Sequence, residues 1–292
     1  MKNLDIKWIY LITLSIIWGS SFILIKKSLE GLNPYQVGAL RTIFTGLLLF
    51  AAGFSSLKSI KREKWKWIAI SGFLGSFFPA FFFAIAETEI DSAIASILNS
   101  LVPLNTILLG FAVFRIASNL KQILGVIIGF IGTAILILEG ADLNPNQNYL
   151  FAGFILVSTL MYAANVNIIK RYLQDVKPIA IATGNYVFII IPALIVLVFS
   201  QFFEAETFAK PDFVSSIIYV LVLSIFGTAI AKVLFNKLVQ ISTPVFASSV
   251  TYIMPIVALI WGLLDNESFN VIQLFAAGLI LSGVYLANKN KT

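Results

Sequence analysis

The sequence has no cysteine and no histidine among its 292 residues. Without cysteine, disulfide bonds and thiolate metal sites are excluded. Without histidine, the chain lacks the commonest metal ligand, the usual general base and the side chain that changes charge near neutral pH. The chain therefore lacks the side chains on which most hydrolytic and metal-dependent enzymes rely. We expect no enzymatic activity, no catalytic residues, no metal and no other cofactor.

Charged residues are also scarce, because they make up 12% of the chain while 59% is hydrophobic. Soluble domains average about 25% charged and about 45–50% apolar residues. No polar stretch is long enough to form a soluble domain. The composition therefore predicts an all-α polytopic protein of the lipid bilayer.

Long apolar runs fill most of the sequence, and a helix needs about 20 such residues to span a membrane. The first run continues past "GSS" as far as Ile25, which favours an uncleaved helix over a signal peptide. We predict ten transmembrane helices, at approximately 8–27, 35–54, 66–86, 92–114, 120–138, 149–169, 178–201, 213–236, 243–264 and 269–287.

The charges alternate along these ten predicted helices. If the N-terminus is cytoplasmic, 15 of the 20 Lys and Arg residues lie on the inner side and 11 of the 14 acids on the outer side. This asymmetry follows the positive-inside rule and predicts that both termini are cytoplasmic. It also accounts for the net charge of +6 without a nucleic-acid partner. We expect a multi-pass protein of the cell membrane, most simply the inner membrane of a bacterium.

The chain repeats itself at a nearly constant offset. A shift of 144 residues aligns the first predicted helix with the sixth, so that Trp18 matches Tyr162. A shift of 152 aligns the third and fourth with the eighth and ninth, so that Pro103 matches Pro255. Each copy, 1–140 and 141–292, has five helices. Because five is odd, the second copy is inverted in the membrane, which is typical of alternating-access transporters.

Several segments resemble the EamA-type permeases of the drug/metabolite transporter superfamily. They are "IIWGSSFILIKKSLEGLNPYQVGALR", "ILNSLVPLNTILLG", "GVIIGFIGTAIL" and "SSVTYIMPIVALIWG". The resemblance covers essentially the whole chain as two repeats. It implies ten helices around a central cavity and the export or uptake of small metabolites, without fixing the substrate.

The matched prolines lie near the middle of the fourth and ninth predicted helices. Proline removes a backbone hydrogen bond and opens the preceding turn, and such breaks at membrane depth mark substrate sites in inverted-repeat transporters. A packing kink is the alternative. The cavity candidates on these two helices are Asn99, Pro103, Asn105, Ser248, Thr251, Tyr252 and Pro255.

The sixth predicted helix carries Tyr162 and Asn165, which lie three residues apart and therefore share a face. Trp18, the repeat partner of Tyr162, is expected to face the same cavity from the other half. Tyrosine and tryptophan also occur at membrane interfaces, which is the competing interpretation for the two rings.

Two basic residues lie inside predicted helices and need an explanation. For Arg41 we predict an ion pair with Glu87, either as an outer gate or as a structural tie. Glu87 is also the acid to test for proton coupling, since no acid lies near a helix centre. For Lys232 two interpretations stay open: it lines the cavity, or its long stem reaches the cytoplasmic surface.

These features predict a secondary transporter of a small metabolite, with an amino acid or related solute as the first candidate substrate. A passive channel for small solutes and a non-transporting membrane scaffold are the alternatives. A membrane enzyme is disfavoured because the acids lie mostly in short loops. The sequence leaves open whether the protein is a monomer or a weak homodimer.

Overall fold

The apolar runs form long helices, and no strand occurs in the part of the chain that the structure describes. This structure is a computed structural model that describes residues 2–114, 120–143, 147–267 and 269–288. Within those ranges we number the long helices in chain order. They are α1 (Lys2–Ser28), α2 (Pro34–Gly53), α3 (Arg62–Ala86), α4 (Ser92–Val113), α5 (Leu120–Leu143), α6 (Ala152–Tyr172), α7 (Pro178–Phe199), α8 (Phe213–Ile241), α9 (Pro244–Leu264) and α10 (Val271–Asn288).

Eight of these described helices, all but α5 and α10, are long and apolar enough to cross a membrane. The apolar parts of α5 and α10 are shorter, at Ile127–Glu139 and Val271–Gly283. Large apolar side chains such as Leu138, Phe199 and Val271 are exposed on the outside of the bundle. Such a surface suits lipid, and the chain is a multi-pass membrane protein.

Several helix starts follow directly from the sequence. Asn33 caps α2: its side chain accepts a hydrogen bond from the backbone N–H of Gln36, whose side chain accepts one from the N–H of Asn33. Thr243 caps α9 in a similar way by accepting from the N–H of Phe246. In both helices proline occupies the first turn, where no backbone donor is needed.

Four helices are interrupted, and the interruptions occur at matching places in the two halves. A π-helical turn replaces α-helix at Phe73–Phe77 in α3 and at Leu223–Ile230 in α8. The break in α4 lies at residues 100–101, just before Pro103. The break in α9 is a 3₁₀ turn, Ser249–Tyr252, just before Pro255. Proline in the first turn of each second segment explains why the helix does not continue through.

The packing of the helices has the same two-fold pattern. Helix α1 packs against α8 and α9, and its counterpart α6 packs against α3 and α4. Helix α2 packs against α7, while α5 and α10 form an extensive contact with each other. The helices α1 to α4 and α6 to α9 therefore intermingle around a common centre.

Candidate functional site

A cavity of about 120 Å³ lies at the centre of the bundle, between helices of both halves. A single buried water needs roughly 10–15 Å³ on the same measure, so the space suits a small solute. Eight of the predicted site residues line this cavity: Trp18, Arg41, Asn99, Tyr162, Asn165, Lys232, Ser248 and Thr251.

Four other predicted cavity residues do not line it in this structure. Pro103 and Pro255 are buried beside the breaks and shape the backbone there. The side-chain amide of Asn105 donates to Thr159 Oγ1 at 2.8 Å, which ties α4 to α6. Tyr252 is half-buried and lies outside the cavity wall. These residues lie on the correct helices but face packing contacts.

Lys232 faces the centre of the bundle and not the membrane surface. The residue is 7% exposed, and its ammonium group donates to Ser76 Oγ on α3. In this structure Lys232 therefore lines the cavity, which is the first of the two interpretations that the sequence leaves open. The neighbouring Lys237, by contrast, is exposed.

Arg41 enters the same cavity from α2. Its Nε donates to Thr228 Oγ1 on α8 at 2.9 Å. Ser76 and Thr228 are separated by the 152-residue repeat offset, so equivalent hydroxyls of the two halves each hold one cation. Each contact also crosses from one half of the chain to the other. No aspartate or glutamate is among the described residues that line the cavity.

The predicted ion pair between Arg41 and Glu87 is not formed in this conformation. Both carboxyl oxygens of Glu87 are buried, and neither has a hydrogen-bond partner in the described structure. Burial in the first place, and the charge of Glu267 in the second, raise the pKa of Glu87 well above 4.5, while the charges of Arg41 and Lys26 oppose this rise. Glu87 lies just beyond the end of α3, and Arg41 bonds to Thr228 on α8 instead.

The two π-helical turns bring glycine and hydroxyl groups to the cavity wall. A Cβ on Gly75 would lie 2.3 Å from the amide nitrogen of Asn165, and one on Gly227 would lie 2.7 Å from Ser21 Oγ. These contacts are equivalent, because Ser21 and Asn165 match at the 144-residue offset. The glycines let α3 approach α6 and α8 approach α1 closely. π-Helical turns are frequent at functional sites.

Aromatic contacts across the halves repeat the same correspondence. Trp18 packs edge-on against Phe235 with ring centres 5.0 Å apart, and its indole nitrogen donates to the carbonyl of Gly227. Tyr162 packs against Phe83, the partner of Phe235, with ring centres 6.1 Å apart. These rings form apolar walls beside the two cations.

The polar groups from α4 and α9 differ in their availability. Ser248 and Thr251 bond back to carbonyls of their own helix. The buried Oδ1 of Asn99 has no partner in the described structure, although Asn99 lines the cavity. Asn99 therefore offers a free acceptor to a solute.

An ionic cluster closes the end of the bundle where α1 ends. Lys26 Nζ lies 2.9 Å from Asp265 and 2.9 Å from Glu267, and Lys27 Nζ lies 2.7 Å from Asp265. Glu267 also accepts from the backbone N–H of Ser92 at the start of α4. Burial raises the pKa of Asp265, but hydrogen bonds from Lys27 and Lys26 outweigh it and leave the pKa below 3.8. The cluster joins the first half to the loop between α9 and α10.

The opposite end of the bundle has a different set of contacts. Lys170, the repeat partner of Lys26, donates to the carbonyl of Ser242 at 2.7 Å. Lys64 forms an ion pair with Asp175 at 2.6 Å. Both ends therefore have a lysine ion pair, but Lys26 itself contacts carboxylates whereas its repeat partner Lys170 contacts backbone carbonyls.

Sequence reasoning missed several cavity residues, including Ser21, Ser76, Tyr186, Thr228 and Asn236. A signal for two of them was present, since Ser76 and Thr228 each follow a glycine of the matched pair Gly75 and Gly227. Hydropathy alone gives no such signal, because it does not report which face of a helix points inward.

Comparison with known proteins follows the same division into halves. The profile of the EamA-like transporter family matches the chain twice, over residues 6–138 and 150–289. A solved crystal structure aligns with this chain over 96% of this chain and 95% of the chain in that structure. The TM-score is 0.66 and the sequence identity is 18%. At that identity the likeness concerns the fold alone.

Three curated relatives span nearly the whole chain. The inner membrane transporter YedA of Escherichia coli K12, whose function is uncharacterised, is 27% identical over 96% of this chain and 90% of its own. An uncharacterised transporter of Archaeoglobus fulgidus is 25% identical, and the match covers 98% of this chain and 99% of the relative's own length. The S-adenosylmethionine/S-adenosylhomocysteine transporter of Chlamydia muridarum is 23% identical over 95% and 90%.

Proposed function

Because the chain belongs to the EamA-like transporter family, we propose that it is a secondary carrier that moves a small metabolite by alternating access through the central cavity. The observation that carries this proposal is the composition of the cavity wall. Residues that match at the repeat offsets both contribute to it, namely Trp18 and Tyr162, Ser21 and Asn165, Ser76 and Thr228, Phe83 and Phe235, and Asn99 and Thr251.

The proposed architecture is ten spanning helices in two inverted halves, 1–140 and 141–292, with both termini cytoplasmic. The double match to the family profile, the paired interruptions and the equivalent helix contacts support it. Two inverted halves of one design have two states of similar energy, each open to one side of the membrane. A solute between them is then exposed alternately.

Within this proposal, an amino acid or related small solute is the substrate class we start from. The cavity combines aromatic walls, amide and hydroxyl groups and two cations in a small volume. The relative from Chlamydia muridarum is named as an S-adenosylmethionine/S-adenosylhomocysteine transporter, and both of these compounds contain an amino-acid group.

Exchange or facilitated diffusion accounts for transport without a coupling ion. Among the described residues, no acid lines the cavity. Glu87 is the acid to examine for proton coupling, since it is buried and unpaired beyond the end of α3.

A passive channel is the second candidate, and it would need a continuous pore lined by polar or charged rings. The cavity instead lies between helices of both halves, and lysine contacts to carboxylates and carbonyls link the two halves at the ends of the bundle. A non-transporting scaffold gives no reason for two basic side chains that line a central cavity.

Metabolite profiling of a deletion strain and an overexpressing strain tests the proposal. The substrate should change in opposite directions in the two strains, with its intracellular and extracellular pools moving against each other. If no small metabolite shifts in this way, the carrier proposal is contradicted.

A further inference from the structure

We propose that the substrate is a small organic anion whose carboxylate or phosphate group binds between Arg41 and Lys232, an inference that rests on the proposed carrier function. It replaces the broader class, an amino acid or related small solute, by solutes with net negative charge. The reason is the charge of the side chains that line the cavity.

The cavity holds two basic side chains and no acidic one among its described lining residues. A charge in a low-dielectric interior is costly unless it is paired. Ionisable side chains inside membrane spans are accordingly paired or lie on a substrate pathway. Arg41 and Lys232 have hydroxyl partners, Thr228 and Ser76, which are dipoles and do not neutralise them. The missing negative charge is supplied by the solute.

Both basic side chains line the same small cavity. Thr228, which accepts a hydrogen bond from Arg41, precedes Lys232 by four residues on α8, near the end of its π-helical turn. Arg41 itself comes from α2 in the other half. A bound anion therefore contacts both halves at once and replaces the mutual repulsion of two like charges by attraction.

Donor groups remain free for such an anion. The hydrogen bond of Arg41 uses Nε, and its Nη atoms have no hydrogen-bond partner within the described ranges. A guanidinium edge with free Nη donors suits two oxygens of a carboxylate or phosphate. The ammonium group of Lys232 has three donors, of which Ser76 takes one.

The rest of the cavity fits the remainder of an organic acid. The rings of Trp18 and Tyr162 provide apolar surface, and the free Oδ1 of Asn99 can accept from a hydroxyl or amino group. A solute with net positive charge would meet two cations without a carboxylate to offset them. A dicarboxylate, an acidic amino acid or a phosphate ester has the matching charge.

Ligand-induced thermal stabilisation of the purified protein tests this inference, since a ligand that binds the native state raises Tm. The probes are succinate, glycerol 3-phosphate, succinamide, leucine and S-adenosylmethionine at matched ionic strength. We expect succinate or glycerol 3-phosphate to raise Tm most, and the comparison of these two distinguishes a carboxylate from a phosphate site.

Three variants assign the effect to the cavity. In Lys232→Met and Arg41→Gln, anion affinity should fall roughly 10- to 100-fold, as expected for the loss of a hydrogen bond to a charged group. Methionine keeps the length of the lysine stem, so packing is largely retained. Lys237→Met removes an exposed lysine from the same helix and should leave affinity unchanged.

The inference is overturned if neither anion raises Tm, if the neutral or cationic probes raise it more, or if both cavity variants keep the anion response. Counterflow in proteoliposomes separates this failure from failure of the carrier function. Saturable exchange of leucine or S-adenosylmethionine would support the carrier function but contradict the inference of an anionic substrate. Flux that does not saturate for any probe would contradict the carrier function itself.

Discussion

At the scale of single residues, the helix face on which a basic residue lies determines its contacts more than its distance from the helix end does. Lys232 is near enough to a helix end for its stem to reach the membrane surface, yet it turns inward to Ser76. Arg41 likewise turns to Thr228 and not to Glu87. The sequence identifies both basic residues as unusual, but it does not show which face of each helix points toward the centre of the bundle.

Glu87 allows a prediction about pH. Its pKa is raised in the folded protein, mainly by burial, so the folded state holds a proton that the unfolded chain releases above about pH 4.5. This group therefore lowers stability as pH rises from that value toward its folded pKa. Glu87→Gln removes the titration. We expect its Tm to equal that of the wild type near pH 4 and to exceed it increasingly as the pH rises toward the folded pKa of Glu87.

Thermal unfolding in detergent across this pH range measures the effect. For a chain of this size, each 1 kcal/mol corresponds to about 2–4 °C in Tm. Because every other group titrates in both proteins, the difference between them isolates Glu87. Parallel curves, or a lower Tm for the glutamine variant at neutral pH, would contradict the assignment.

At the scale of helices, the sequence predicts where the apolar runs lie but not how they are interrupted. The predicted boundaries agree with the helices to within a few residues for most spans, because hydropathy and the proline-containing starts are local signals. Pro103 and Pro255 likewise indicate the breaks in α4 and α9. The π-helical turns depend on packing between helices, as at Gly75 against Asn165, and leave no local pattern.

The contact between α5 and α10 provides a stability prediction. A Cβ on Gly283 would lie 2.6 Å from the carbonyl oxygen of Gly125 and 2.6 Å from the backbone nitrogen of Gly129. Because these atoms are backbone, they cannot move aside as a side chain could. Gly283→Ala should therefore cost about 1–3 kcal/mol and lower Tm.

Gly278 is the matched control on the same helix. A Cβ there meets nothing within 4 Å, so Gly278→Ala should leave Tm unchanged or raise it slightly through helix propensity. Thermal unfolding of both variants under one set of conditions makes the comparison. Equal effects of the two substitutions would show that α5 and α10 do not pack through Gly283.

At the scale of the whole molecule, residues that match at the repeat offsets line one cavity, but the contacts at the two ends of the bundle differ. The repeat offset matches Trp18 with Tyr162, and both residues line the cavity. It does not predict the cluster of Lys26 with Asp265 and Glu267, because those acids belong to a loop whose path depends on the assembled fold.

This cluster provides a test of movement between the halves. The absence of native cysteine makes the double variant Lys26→Cys with Glu267→Cys suitable for cross-linking by a short thiol-reactive reagent. If the cluster opens during transport, the cross-link should abolish uptake, and its cleavage by a reductant should restore it. Uptake is measured in proteoliposomes before and after each step.

Ser56→Cys with Ser59→Cys is the control pair, because both residues lie in the short segment between α2 and α3, outside the cluster, where Ser59 Oγ donates to the carbonyl of Ser56. Cross-linking there should leave most transport activity intact. Full activity of the cross-linked Lys26 and Glu267 pair would mean that this end of the bundle does not open.

Counterflow in proteoliposomes tests the central claim, that one cavity is exposed alternately to the two sides, most directly. Vesicles are loaded with a high concentration of the solute identified by profiling, and a trace of labelled solute is added outside. A carrier predicts a transient accumulation of label inside above the equilibrium value, which the Lys232→Met variant should lose. A monotonic approach to equilibrium, with a rate that does not saturate, would contradict the account and indicate a channel.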